Sequence, residues 1–213
     1  MSDRPMPMFP LGSVLVPGLL LPLHVFEPRY RALVHDVLAA DGRFGVTLIE
    51  RGSEVGGGDE RTAVGTAAQI VQAEESPDGR WGILAVGEER IRVLRWLDDD
   101  PYPRAVVEPW PEDPAPVPAE RIEVVAALVR RALALHVELG DLRAGIDLEP
   151  VDDPVAASHQ LCGATALGPA DRYRLLCCPG PAERLDLLET LVAEDLDLSA
   201  FRLGGPADGP PLA

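Results

Sequence analysis

The side chains that could form a catalytic centre are few in this chain, and lysine is absent altogether. All 19 basic residues among the 213 are arginine. A nucleotide-binding P-loop needs a lysine to reach the β- and γ-phosphates. Schiff-base chemistry and a Ser-Lys dyad need a lysine amine as well. The sequence therefore excludes these reaction classes for the residues given.

Cysteine and histidine offer the remaining routes to nucleophilic or metal chemistry. His159 and Cys162 are three residues apart, a spacing that can bring them together on a helix, but no third residue orients the pair. Cys177 and Cys178 are adjacent, and an odd number of cysteines gives no disulfide framework. We expect buried free thiols, with a vicinal disulfide or a metal pair as the alternative. No zinc-site spacing occurs, so we predict no catalytic residue, metal or cofactor.

A denser group of polar and aromatic residues lies in the stretch "LPLHVFEPRY". Its candidate peptide-binding residues are His24, Phe26, Glu27, Arg29 and Tyr30. In a structural interpretation, Glu27 favours a helix N-terminus, Arg29 pairs with an acid and Tyr30 packs beneath a sheet. In a functional interpretation, the five side chains rim a groove for an extended peptide. We favour the structural interpretation and keep the five residues as the candidate site.

The stretch from Pro5 to Phe26 carries no formal charge over 22 residues, a length that could span a bilayer. Pro10, Pro17 and Pro22 interrupt it, and each of them would break a membrane helix. A signal peptide is also excluded, because the positive start and the cleavage site are missing. We therefore predict two paired strands, "SVLVPG" and "LLLPLHVF", in a cytoplasmic protein that contacts no membrane.

The pattern that follows is mainly that of strands. The segment "EPRYRALVHDVLAADG" predicts one helix, begun by Pro28 and ended near Gly42. Strands are predicted at "RFGVTLIE", "AVGTAAQIVQAEE", "RWGILAVGEERIRVLRW" and "PYPRAVVE". Pro77-Asp78-Gly79 predicts a hairpin turn between two of them, and Gly87 marks a bulge. About six strands with one helix indicate a small, strongly bent sheet or barrel.

A proline-rich segment separates this region from a helical one. "PAERIEVVAALVRRALALHVEL" predicts a long amphipathic helix, and Asp153 before Pro154 predicts the cap of another. Two further short helices each begin with proline, and the last thirteen residues are typical of a flexible tail. We predict an α+β protein. Its parts are a β-rich subdomain at 1–110, a connection at 111–118, an α-helical bundle at 119–200 and the tail at 201–213.

Five stretches in this order resemble a known family. They are "MFPLGSVLVPGLLLPLHVFEPRYRALV", "FGVTLIE", "VGTAAQIVQ", "GEERIRVL" and "YPRAVVE". Together they look like the N-terminal, substrate-binding domain of Lon proteases, in the style of short bacterial proteins that carry this domain alone. The resemblance implies a PUA-like bent sheet followed by a helical bundle, and a part in substrate selection. It also implies that the ATPase and protease domains of Lon lie outside the matched region.

From these observations we expect a non-enzymatic module that recognises unfolded or exposed protein segments. A peptide could add to a sheet edge, or its apolar side chains could enter a cleft. One alternative is an adaptor that docks on a separate protease or a larger assembly. Another is RNA binding through Arg90, Arg92 and Arg95, since PUA-like folds bind RNA elsewhere. The net charge of −16 opposes binding to nucleic acid.

Overall fold

The computed structural model describes residues 5–51, 60–113, 115–140 and 148–204. The chain forms two compact units. The first contains Met1–Pro114 and Pro169–Pro179, and the second contains Ala115–Gly168 and Gly180–Ala213. The segment 169–179 therefore belongs to the first unit, whereas the sequence pattern assigned it to the helical bundle. The hydrophobic period of a helix does not reveal which core the helix joins.

Within the described residues, six strands form the sheet of the first unit. They are β1 (Met6–Leu11), β2 (Leu20–Val25), β3 (Arg43–Arg51), β4 (Glu60–Glu75), β5 (Trp81–Trp96) and β6 (Arg104–Pro109). Their order is β2-β5-β4-β3-β1-β6, and β6 pairs with β5 as well. Five strands therefore close into a barrel, and β2 extends it by pairing with the first half of β5. The β1–β3 pair is parallel and the other pairs are antiparallel.

Five helices complete the described part of the chain. They are α1 (Pro28–Leu38), α2 (Ala119–Glu138), α3 (Pro154–Ala164), α4 (Pro169–Leu176) and α5 (Pro181–Gly204). The combination of a mixed sheet and separate helices confirms the predicted α+β class. None of these helices is both long enough and apolar enough to cross a lipid bilayer.

The β4–β5 hairpin follows the local sequence closely. Gly79 has φ of 77° in the turn, a conformation that glycine adopts without a steric cost. Further along, Ala67 faces Glu89 but Ala68 faces Gly87, so β5 carries one extra residue at this point. A Cβ atom at Gly87 would lie 2.7 Å from the carbonyl oxygen of Val16. The predicted bulge at Gly87 is thus confirmed, and it lets another backbone segment approach the sheet.

The uncharged opening stretch differs from the prediction. Residues 13–18, expected as a strand, contain no strand, and β1 and β2 pair with other strands instead of with each other. Gly18 has φ of 82° and closes a turn after Pro17. The Leu15 carbonyl accepts a hydrogen bond of 2.6 Å from the Thr66 hydroxyl. Val14, Leu15 and Val16 are buried by packing on distant residues, so a short apolar run here did not indicate a strand.

Helix α1 covers one side of the sheet. Pro28 occupies its first turn, as predicted, and Gly42 follows its end with φ of 76°. Its buried face joins aromatic and branched side chains of the strands to form the main core of the first unit. Members of this core include Phe9, Leu11, Val25, Tyr30, Leu33, Val34, Val37, Phe44, Val46 and Ile83.

A buried arginine ties the returning segment 169–179 to β5. Arg90 is 2 % exposed. Its Nη1 donates to the carbonyls of Leu176 and Cys178, and its Nη2 donates to those of Pro111 and Pro179. Its Nε lies 2.7 Å from Glu112 Oε1. Because α4 ends beside Arg90, the guanidinium satisfies carbonyls that lack partners at a helix end.

The second unit is built from α2, α3 and α5, which pack against one another. The Asp153 side chain accepts from the Ala156 amide at 2.8 Å, which confirms the predicted helix cap. His136 Nε2 lies 2.8 Å from Asp195 Oδ2, between α2 and α5. Helix α5 is 24 residues long and continues to Gly204, so the start of the expected tail is helical. The rest of that tail, 205–213, lies outside the described residues.

Candidate functional site

The candidate residues of the sequence surround the end of β2 and the start of α1. In β2 the side chains alternate, so that Leu21 and Leu23 pack on the core while Leu20, Pro22 and His24 are exposed. Leu20 is 61 % exposed. Within the described residues, β2 pairs with β5 alone. The strand therefore leaves one edge and part of one apolar face open.

The backbone of β2 shows which of its groups face that open edge. The Gly87 amide donates to the Leu19 carbonyl at 2.9 Å. In an antiparallel pair, hydrogen-bonded and non-bonded positions alternate. Positions 21, 23 and 25 therefore bond to β5, while the amides of 20, 22 and 24 point outwards. Position 22 is proline, which has no N–H, so the middle outward donor is missing.

At the start of α1 three of the five candidates contact one another. Glu27 is the N-cap residue, and its Oε2 accepts from Arg29 Nε at 3.1 Å. The Arg29 guanidinium carbon lies 4.5 Å from the centroid of the Tyr30 ring. Tyr30 is 4 % exposed and stacks on Phe9 with ring centroids 4.1 Å apart. This geometry matches the structural interpretation of Glu27, Arg29 and Tyr30.

The other two candidates are surface residues. His24 is exposed at the end of β2, and Phe26 is 55 % exposed in the short connection to α1. They offer an imidazole and an aromatic ring to solvent beside Leu20 and Pro22. Of the five candidates, His24 and Phe26 are therefore the ones whose side chains are open to a partner.

A groove of about 860 Å³ lies elsewhere in the first unit, and none of the five candidates lines it. Its apolar residues come mainly from β1, β5 and β6, and its polar residues come partly from the end of α1. The lining includes Pro5, Met6, Pro7, Asp36, Val37, Ala39, Ala40, Asp41, Arg43, Glu89, Ile91, Leu94, Tyr102, Arg104, Val106, Val107, Glu108 and Pro109. The size and the apolar lining are those of a ligand-binding cleft.

A strand irregularity projects a leucine into this groove. Val93 faces Val107 and Arg95 faces Val106, so Leu94 is an extra residue of β5 opposite β6. Bulges of this kind redirect side chains and are frequent beside binding sites. Leu94 is 51 % exposed, and it lines the groove together with Val106 and Val107. The bulge thus adds apolar surface at the mouth of the cleft.

The charged groups of the groove are held by hydrogen bonds. The Tyr102 hydroxyl donates to Asp36 Oδ2 at 2.6 Å, and the Arg43 amide donates to Asp41 Oδ1 at 3.1 Å. The Arg43 guanidinium bonds to Glu89 at 2.9 Å and to Glu88 at 2.7 Å. Hydrogen bonding to Glu89, together with the charge of Glu88, raises the pKa of Arg43. Arg43 is therefore a fixed cation whose charge two carboxylates already balance.

Sequence reasoning missed the groove because its walls meet only when β6 closes on β1 and β5. A local signal existed at one place, since the run "IRVLRW" has two apolar residues in succession where strict alternation requires one. Such a break marks a bulge. Nothing in the sequence gives the pairing of β1 with β6, which joins Met6 to Ala105 across the whole β region.

The remaining sequence candidates are also accounted for. Arg90, expected in an exposed arginine patch, is buried and bound to carbonyls, so that patch does not form as expected. His159 and Cys162 are both 1 % exposed in the second unit. All three cysteines are free thiols, as predicted; Cys162 and Cys178 are buried, whereas Cys177 is only half-buried. Among the described residues no cluster of histidine, cysteine and carboxylate side chains is arranged to hold a metal ion.

Comparison with known proteins identifies the region that carries the groove. A family model described as the ATP-dependent protease La (LON) substrate-binding domain matches residues 5–194. Lon protease 2 of Herpetosiphon aurantiacus is 27 % identical over 206 residues, which cover 91 % of this chain and 24 % of that protein. Lon protease of Trichlorobacter lovleyi is 28 % identical over 91 % of this chain and 24 % of its own length. The chain spans about a quarter of the length of these relatives.

Solved structures agree with this match. The crystal structure of a Lon N-terminal domain protein from Xanthomonas campestris superposes with a TM-score of 0.66 at 29 % identity, and the match covers 89 % of this chain and 98 % of that one. The N-terminal domain of a Mycobacterium avium complex Lon protease gives a TM-score of 0.61 at 19 % identity, with 90 % and 99 % covered. The Mycobacterium avium complex structure, at 19 % identity, supports the fold alone. The match to the Xanthomonas campestris protein covers nearly the whole of that chain.

Proposed function

Because the chain belongs to the LON substrate-binding domain family, we propose that it is a non-catalytic module that binds exposed segments of other proteins. The observation that carries this proposal is the apolar groove between β1, β5, β6 and the end of α1. The absence of lysine from the 213 residues supports a role without nucleotide hydrolysis or Ser-Lys proteolysis. The free thiols suit the cytoplasm, where disulfides are rare.

The groove is a better binding surface for a segment than the open edge of β2. Strand addition uses a continuous row of outward backbone donors and acceptors. Pro22 removes the central outward donor of β2 and so breaks the row. The groove instead offers apolar side chains, of which Leu94 is exposed, and their burial favours binding without a backbone ladder. We therefore assign the client segment to the groove.

His24 and Phe26 form a second, smaller surface in this proposal. Both side chains are exposed beside Leu20. Glu27 and Arg29 fix the start of α1, and Tyr30 supports them from the core. If a client uses this surface in place of the groove, His24 and Phe26 contact it directly, while Glu27, Arg29 and Tyr30 hold the connection in place.

The test is fluorescence anisotropy with a labelled, uncharged apolar peptide of about ten residues. We compare Leu94→Ser in the groove with Leu20→Ser on β2, since both leucines are at least half exposed and both substitutions leave the core intact. Removing one buried leucine contact costs roughly 1.5 kcal/mol, or about a tenfold loss of affinity. We expect this loss for Leu94→Ser and none for Leu20→Ser.

The outcomes separate three possibilities. A loss confined to Leu20→Ser moves the binding surface to β2 and to its neighbours His24 and Phe26. If the unmodified protein shows no saturable binding, the proposal of an autonomous binding module is wrong. The remaining function is then that of an adaptor for a dedicated protease. A labelled single-stranded RNA serves as the negative control, since burial of Arg90 removes a member of the expected basic patch and RNA binding needs such a patch.

A further inference from the structure

The charges around the groove indicate the class of segment that it accepts. We propose that the groove selects extended apolar segments that carry arginine or lysine beside the apolar residues. This inference rests on the proposed function and makes it more specific. It follows from the apolar floor, from the number and state of the carboxylates, and from the end of α1.

The floor of the groove sets the apolar part of the preference. Met6, Val106 and Val107 are partly buried, and Leu94 is half exposed. Met6 and Val107 also pack on the small buried cluster formed by Met8, Ala67, Ile91 and Ala105. Because these side chains already pack on a buried cluster, they lose little conformational entropy when a client binds. Burial of apolar client side chains against them therefore favours binding.

Carboxylates from separate elements rim this floor. Asp36 and Asp41 come from the end of α1 and the turn after it, Glu89 from β5 and Glu108 from β6. Asp36 and Asp41 accept hydrogen bonds from the Tyr102 hydroxyl and the Arg43 amide, and neither donor carries a charge. Neither hydrogen bond therefore offsets the charge of these two carboxylates at the groove.

The two arginines of the lining do not reverse this balance. Arg43 lies between Glu88 and Glu89, so its charge is compensated within the protein. Arg104 Nη2 donates to the backbone carbonyl of Asp98 at 3.5 Å and contributes one positive charge. Among its described residues the lining contains four carboxylates and two guanidinium groups. Glu88 beside Arg43 and Arg92 beside Glu108 each add one further charge, and the excess remains negative.

The C-terminal end of α1 adds to the negative electrostatic potential of the groove. Ala39 and Ala40, which follow its last turn, line the groove. The carbonyl end of a helix carries a partial negative charge that stabilises nearby cations. A guanidinium or ammonium group of a client would therefore meet Asp36, Asp41 and the helix end together, while its apolar neighbours cover the floor.

The experiment compares three labelled peptides with one apolar core and flanks of two lysines, two glutamines or two glutamates. The protein variants are the isosteric pair Asp36→Asn with Asp41→Asn, and a control pair, Glu138→Gln with Asp197→Asn. The control removes the same charge from exposed positions of the second unit. Anisotropy titrations at low and at high salt give the affinity ratio of lysine to glutamate flanks for each protein, and thermal melts verify folding.

We expect the unmodified protein to bind the lysine-flanked peptide about tenfold more tightly than the glutamate-flanked one, as two exposed charge contacts allow. The ratio falls about threefold or more in the Asp36/Asp41 pair, stays unchanged in the control pair, and declines with salt. An equal fall in the control pair, or a ratio near one in the unmodified protein, overturns the charge selection. The glutamine-flanked peptide tests the proposed function separately: if it binds while the ratio is near one, only the present inference fails.

Discussion

Among the described residues, each of the two compact units buries one arginine almost completely, and the two arginines have different surroundings. In the first unit Arg90 bonds to four backbone carbonyls and to Glu112. In the second unit Arg184 of α5 is 0 % exposed and donates from Nη1 to the Ser158 hydroxyl of α3 at 2.8 Å. The first arginine holds backbone segments, whereas the second reaches a side chain of a neighbouring helix.

This difference reflects how each unit is assembled. The first unit combines a β barrel with a segment that returns from far along the chain, and the end of α4 leaves carbonyls without helical partners. A guanidinium has five donors in a fixed plane and can satisfy several carbonyls at once. The second unit joins helices through leucine-rich faces, and its buried arginine connects α5 to α3 at the Ser158 hydroxyl.

The largest effect is expected for Arg90→Ala. The substitution leaves four carbonyls without their donor and Glu112 without its cation, and breaking a buried pair of this kind costs about 3–5 kcal/mol. Arg92→Ala is the control on the same strand, since Arg92 is exposed and lies 3.9 Å from Glu108; we expect a change within about 0.5 kcal/mol. Equal costs for the two variants would contradict the role of Arg90.

Urea denaturation followed by tryptophan fluorescence measures this effect. Trp81, Trp96 and Trp110 are the three tryptophans of the chain, and all of them belong to the first unit. Circular dichroism at the helical band reports mainly on the second unit. The two signals together show whether loss of Arg90 acts on the barrel alone.

A smaller effect is expected for Ser158→Ala in the second unit. It removes one hydrogen bond to a charged group, which is worth about 1.5 kcal/mol. Thr190→Ala is the control, because the Thr190 hydroxyl donates to a carbonyl of its own helix at an exposed position. The helical dichroism should report the loss for Ser158→Ala and not for Thr190→Ala. A cost as large as that of Arg90→Ala would show that the two arginines are equivalent after all.

The smallest expected effect is a loss of stability at alkaline pH, and we expect it in the first unit more than in the second. Burial raises the pKa of Cys177, although the Tyr173 hydroxyl and the Arg90 charge oppose it, and burial also raises the pKa of Tyr173. The folded first unit therefore holds these protons more tightly than the unfolded chain does. Its stability is fully present below the unfolded-state pKa values and decreases as pH rises through the folded-state values.

We expect the unfolding free energy from tryptophan fluorescence to fall between about pH 8 and pH 10, and to fall less in Cys177→Ala. The helical dichroism of the second unit should change less over the same range. An unaltered pH dependence in Cys177→Ala would exclude this thiol as a contributor. Tyr173→Phe then tests the phenol in the same way.

Local signals predicted much of the fold. The turn at Gly79, the bulge at Gly87, and the helix starts at Pro28 and at Asp153 depend on neighbouring residues, and the structure has all of them. The strand expected at 13–18 was wrong, because the short apolar run there is buried by packing on distant elements and not by strand pairing. Periodicity identifies apolar positions but does not give the surface that covers them.

The candidate site was predicted in part for a related reason. Glu27, Arg29 and Tyr30 are close in sequence, so their mutual contacts could be anticipated. The groove forms only when β6 pairs with β1 and β5. Arg90 is buried because it bonds to the carbonyls of Leu176 and Cys178, which lie 86 and 88 residues further along the chain. Contacts over such separations have no signature in a single sequence.

Pro22 has a consequence for how copies of this chain meet one another. A strand edge that is open to solvent can recruit the edge of a second molecule, and repeated addition leads to fibrils. β2 is the strand that pairs on one side only within the described residues. Because proline interrupts its outward row of donors, the edge offers no continuous template for growth. Pro22 thus disfavours growth of the sheet by addition of a second copy at β2.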